Sequence, residues 1–213
     1  MNLKFLFNKK INNGFTLAEV LITLVVVGVI AAMTIPTVIY QTKKTEYSVR
    51  LKKFYTTMSQ VVKLSQAKGK SWDEWASVPH SEYSVDVAEA FQNDYILPYV
   101  SYFKVVKNGS NRRIYLNDGS YFENYKGDCI DFIFDVNGDK KPNLDGRDIF
   151  RFLYCPVGGY AGAWQIKSTF IPYQYSMYSR ATALSLCTNN PPYCSSLLMM
   201  DGWEFKDDYP YKI

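Results

Sequence analysis

The chain has 213 residues, 47% hydrophobic and 16% aromatic, and a formal net charge of +4. That length suits one domain with an appendage, and 18 Tyr, 13 Phe and 4 Trp point to a β-rich globular part. The charge is split: residues 36–70 hold eight bases against Glu46, whereas residues 71–213 hold 13 bases and 18 acids, which excludes a basic nucleic-acid-binding domain.

In chain order, Lys4, Lys9 and Lys10 precede an apolar run over residues 15–40 that carries one carboxylate, Glu19. As a helix this run extends about 39 Å, more than a hydrocarbon core of ~30 Å. No small-residue cleavage site follows it in "TIPTVIYQTKK", so it reads as a retained segment rather than a removed secretory signal. The five bases of residues 43–53 outnumber the three ahead of the run, so charge alone does not orient it. A carboxylate at bilayer depth costs about 2.5–3.5 kcal/mol on insertion scales. Glu19 therefore calls for a partner.

The string "GFTLAEVLITLVVVGVIAAMTIP" resembles the N-terminus of a type IV prepilin or pseudopilin. It has a basic leader ending in Gly14, then Phe15, then Glu19, and Pro36 near the end of the apolar helix. The resemblance covers about residues 9–36. It implies that a prepilin peptidase cuts between Gly14 and Phe15 at the cytoplasmic face and N-methylates Phe15. It further implies that Glu19 neutralises the new amine of a neighbouring subunit during assembly; a place near the membrane interface, or a pairing within its own chain, is the alternative. The partners it implies are that peptidase, other pilin or pseudopilin subunits, an inner-membrane assembly platform and the membrane itself. The protein is then expected in the inner membrane with its head in the periplasm, and afterwards in a pilus or pseudopilus filament.

Beyond Pro36 the pattern stays helical with a new face. Tyr47, Leu51, Phe54, Tyr55, Met58, Val61 and Val62 recur at spacings of three and four, opposite Lys52, Lys53, Thr56, Thr57, Gln60 and Lys63. This predicts a half-buried helix packed on a sheet, ending near Ala67 with Gly69 as a left-handed cap and Pro36 introducing a kink or a melted turn. Its basic face is read as solvated lysines or inter-subunit salt bridges, with DNA or acidic lipid as the lesser reading. The expected organisation is a leader (1–14), a transmembrane and assembly helix (15–40), its amphipathic continuation (41–70) and an extracytoplasmic head (71–213). The fold class is α+β and pilin-like: a long N-terminal helix packed on an antiparallel sheet, with short helices.

In the head, "SWDE" fits a capping box opening a brief helix, and "EYSVDVAEAFQNDYILPYV" a second helix ended before Pro98. "RRIYLNDGSYFENY" reads as a hairpin around Asp118-Gly119. "CIDFIFDVNGDKKPNLDGRDIFRFLYC" reads as another, with a polar loop. If Asp135 faces Ile149 in that hairpin, Cys129 faces Cys155 at a separation a disulfide spans. Cys187 and Cys194 flank "TNNPPY" and would close a small loop. Four cysteines allow three connectivities; 129–155 with 187–194 is the expected one in an oxidising space.

The loop "DVNGDKKPNLDGRD" offers oxygens from Asp135, Asn137, Asp139, Asn143, Asp145 and Asp148, the ligand type a hard cation such as calcium takes. It lacks the EF-hand pattern. Similar loops occur in pilin-like proteins, and some of those bind calcium. In that event Asp135, Asn137, Asp139, Asn143 and Asp148 hold it; otherwise the loop is held by turns in which Asp and Asn cap their own backbone. No cofactor is required. No enzyme is expected: His80 is the only histidine, and "GGYAG" lacks the lysine and the strand–helix context of a phosphate loop. Trp72, Trp75, Trp164 and Trp203 are read as core or subunit contacts. Two functions stay open: a structural pilus or pseudopilus subunit, or a minor tip subunit whose head binds DNA, a host surface or a secretion substrate.

Overall fold

The computed structural model describes residues 14–76, 84–109, 111–126, 129–155, 169–173 and 179–213. His80, Trp164 and Gly158 to Gly162 lie outside them. The chain divides into two compact units, Met1–Thr42 and Lys43–Ile213. Helix α1 (Leu17–Ala67) contributes to both and runs through Pro36 without ending, so no melted turn forms there.

In the first unit the α1 side chains are exposed all round: Leu24 is 64% and Met33 73% exposed. The helix is long and apolar enough to cross a membrane by length and composition. Two of its hydroxyls are masked within the helix: Thr23 and Thr34 donate theirs to the carbonyls of Val20 (2.9 Å) and Ile30 (3.0 Å).

In the second unit α1 acquires a buried stripe: Tyr47, Leu51, Phe54, Met58, Val61 and Val62. Its end is closed as the sequence predicts. Gly69 takes φ +75°, and the N–H groups of Gly69 and Lys70 bond Gln66 O and Ser65 O. Ser71 caps α2 (Trp72–Ala76) by accepting from the Asp73 N–H, but Glu74 reaches the Tyr95 hydroxyl instead of closing a capping box. Ser84 caps α3 (Val85–Phe91). The expected single helix then departs from prediction: it widens into a π-helical turn (Gln92–Ile96) and tightens into a 3-10 turn (Leu97–Tyr99) that contains Pro98. The wide turn sets Gln92 wholly inside, where its amide donates to Arg112 O (3.2 Å) and Asn124 Oδ1 (2.7 Å).

Six strands follow: β1 (Tyr102–Asn108), β2 (Asn111–Leu116), β3 (Tyr121–Lys126), β4 (Ile130–Asp135), β5 (Ile149–Cys155) and β6 (Thr169–Pro172). They form one antiparallel sheet in sequence order. The β2–β3 turn is the predicted Asp118-Gly119, with Gly119 at φ +85°. One face of the sheet meets α1. There Phe54 stacks on Phe134 at 4.1 Å and meets Phe122 and Phe152 edge-on or tilted. Trp72 and Trp203 are buried and Trp75 packs on Phe91 and Tyr95. Helices α4 (Arg180–Asn189) and α5 (Cys194–Met200), not anticipated from sequence, close the C-terminal side, where Arg180 bridges Asp201 and Asp208.

Candidate functional site

Two places gather the residues singled out by sequence. The first is the start of α1. Gly14 and Phe15 precede the helix, and Phe15 is 87% exposed. A methyl group at Gly14 would meet nothing within 4 Å among the described residues, and Gly14 holds no left-handed backbone. Among the described residues, nothing in the fold demands glycine there.

Thr16 accepts the first helical hydrogen bond, from the Val20 N–H, which makes it the N-cap. Its Oγ1 accepts from the Glu19 N–H at 3.2 Å, and Glu19 Oε2 accepts from the Thr16 N–H at 2.8 Å. The pair is a reciprocal capping box. The Thr16 hydroxyl also donates to Oε2, at 2.7 Å. Thr16 went unnoticed in the sequence, although a Thr three residues before a Glu at the head of an apolar run is the signal for it. Pro36 lies within α1, about three turns of helix before the buried stripe begins at Tyr47.

The second place is the loop between β4 and β5. Here the register is the predicted one: Asp135 faces Ile149 and Ile130 faces Tyr154. One step beyond, Cys129 and Cys155 form a disulfide with Cα atoms 4.6 Å apart; Cys187 and Cys194 form the second, at 4.5 Å. The loop folds against the β2–β3 turn so closely that a Cβ at Gly138 would lie 2.3 Å from Gly119 O, and Gly138 itself sits at φ +75°. Only glycine fits there.

Of the five residues proposed as cation ligands, the loop gathers four. Asp135 and Asp148 are wholly buried. Asp135 Oδ1 accepts the Asn137 N–H at 3.1 Å. Asp148 accepts the Asn143 and Leu144 N–H groups at 2.8 and 2.7 Å and the Asn137 amide at 3.1 Å. The Asn137 amide also ties the loop to α1 through the Tyr47 hydroxyl at 2.8 Å. With its nitrogen turned inward, the Asn143 amide donates to Lys140 O (2.9 Å) and Asp135 Oδ2 (3.0 Å). Asp139 stands apart, taken by Arg113 and the Tyr115 hydroxyl at 3.3 and 3.0 Å.

A calcium shell needs six to eight oxygens. Here N–H donors already occupy Asp148, and among the described residues of the loop Asn137 Oδ1 is a buried oxygen without a hydrogen-bond partner. Among the described residues no group of three or more His, Cys, Asp or Glu side chains is placed to hold a metal ion. Burial raises the Asp135 carboxyl from its ordinary value to about 7, the nearby Asp148 charge adding to the rise and the Asn137 and Gly138 N–H groups opposing it.

A cleft of about 280 Å³ lies between α1 and the β2–β3 turn, floored by Phe54, Met58 and Phe122. At its mouth Lys53 pairs with Asp118 at 3.0 Å.

Two family models match the chain. One, described as a prokaryotic N-terminal methylation motif, matches residues 9–35. The other, described as a family of unknown function (DUF6613), matches residues 37–213. No curated protein and no solved structure matches it.

Proposed function

From a chain that belongs to the DUF6613 family and is a type IV pilin or pseudopilin subunit by its N-terminal motif, we infer a structural protein that polymerises through α1 after its leader is removed. The observation that carries this reading is the arrangement of α1. One half is apolar and exposed on every side; the other is tied into a folded head. Such a helix suits a subunit stored in a bilayer and then withdrawn into a bundle of like helices, where apolar side chains exchange lipid for each other.

Processing supplies the chemistry for assembly. Hydrolysis of the Gly14–Phe15 peptide bond frees a carboxylate on Gly14 and an amine on Phe15. That amine, positive at neutral pH, is the natural counter-charge for the Glu19 carboxylate of a neighbouring copy, since a buried ion pair costs far less than either ion alone. With the leader cut at the cytoplasmic face the head lies on the extracytoplasmic side, an oxidising space in which its two disulfides would persist.

The expected first residue of the membrane-extracted protein is N-methyl-Phe15, read by mass spectrometry of the intact chain. An intact leader in cells with active prepilin peptidase would end this assignment.

A further inference from the structure

We propose that Thr16 is a positioning residue for assembly: it holds one oxygen of Glu19 so that the other is presented to the amine of a second copy of this chain. This rests on the filament reading above and adds to it the residue that prepares the carboxylate.

All three contacts that hold Glu19 come from Thr16. The Thr16 N–H and hydroxyl both donate to Oε2, at 2.8 and 2.7 Å, and the Glu19 N–H donates to Thr16 Oγ1 at 3.2 Å. Oε1 takes no hydrogen bond among the described residues. A free glutamate side chain samples many rotamers, and ordering it at the moment of association opposes binding. Here the cap has already ordered it. Two donors satisfy Oε2 inside the helix's own first turn, where the partial positive charge of the unpaired N–H groups also favours an anion. Oε1 keeps its full capacity to accept. In hydrocarbon, where water does not reach, the strongest available donor for it is a cation.

The arrangement explains how a carboxylate can wait in a membrane and still be ready to pair. Half of its hydrogen-bonding need is met by its own helix, which lowers the cost of storing the subunit. The unmet half is specific for a donor from outside.

The test uses the full chain as the sole subunit of its type, with filament yield divided by the amount of processed subunit. Thr16→Val, which keeps the shape and removes the hydroxyl, should lower that yield on the order of tenfold, the effect of losing one hydrogen bond to a charged group. Thr16→Ser should return it to within about twofold of wild type. In a Glu19→Ala background, Thr16→Val should cause no further loss, because its effect passes through the carboxylate.

A Thr16→Val yield equal to wild type overturns the proposal. So does a serine variant as poor as valine, an added loss in the Glu19→Ala background, or a valine variant that is never processed, which would place the role of Thr16 at cleavage. A second readout needs no filament: the carboxylate 13C NMR signal of Glu19 in detergent, identified by its absence in Glu19→Ala. It should coincide in wild type and Thr16→Ser and shift in Thr16→Val. A wild-type chain that never assembles sinks the filament reading, whereas an unmoved NMR signal sinks this one.

Discussion

Asp135 shows how one buried carboxyl ties the loop to solution conditions. Its ordinary value is 3.8, and burial beside Asp148 lifts it to about 7 in the folded head. Between roughly pH 4 and pH 7 the folded state therefore keeps a proton that the unfolded chain has released. This group's contribution to stability is largest at the acid end, falls as pH rises across that interval and levels off above 7. Asp135→Asn removes the titration while leaving an oxygen for the Asn137 N–H, and the Asn143 amide can turn to match. Thermal melts of the full chain in detergent should show the variant gaining on wild type from pH 5 to pH 8. A constant difference would mean that Asp135 does not titrate there. The same melts address calcium. Because Asp148 already accepts backbone N–H groups and Asp139 is held by Arg113, equal melting temperatures in excess calcium and in chelator are expected. A rise with calcium would instead show the loop re-forming as an ion site.

At the scale of elements, the junction of α1 with the sheet carries the head. Phe54 is 2% exposed and its ring touches those of Phe134, Phe122 and Phe152 on three different strands. Phe54→Ala should destabilise the head by about 3–5 kcal/mol, the cost of lost burial plus a residual cavity. Denaturant unfolding measures it, and a loss under ~1 kcal/mol would mean that α1 is not the keystone. The stripe Tyr47, Leu51, Phe54, Met58 was legible because helical periodicity is local. Strand β1 was not legible. It lies at the sheet's edge with every residue but Val105 exposed, so no alternation of apolar and polar positions marks it. The π-helical turn was equally hidden, since it exists to bring Gln92 to Arg112 and Asn124, residues 20 and 32 positions away.

At the scale of the molecule, the proposed filament function rests on the one carboxylate at the head of the apolar helix, Glu19. Glu19→Ala should be processed at Gly14, remain in the membrane and insert at least as readily, since the costly carboxylate is gone. Expressed as the sole subunit of its type, it should yield few filaments by electron microscopy of sheared cells. Normal filaments from that variant would remove Glu19 from assembly.

By itself the sequence determined the features that depend on neighbours along the chain. These are the apolar helix with its lone carboxylate, the amphipathic stripe, the Asp118-Gly119 turn and the β4–β5 register that pairs Cys129 with Cys155. A helix repeats every 3.6 residues and a hairpin keeps a constant index sum, so both can be read from spacing. Only the tertiary structure decided what the loop oxygens do. Asp135, Asn137, Asn143 and Asp148 look alike as ligands in a string of letters. Whether an oxygen is free for a cation depends on which N–H groups come within hydrogen-bond reach of it, and here Asn143 and Leu144 reach Asp148 while Arg113, from another strand, takes Asp139. Those approaches are set by how the loop packs on the β2–β3 turn and on Tyr47 of α1, at distances along the chain that no local pattern records.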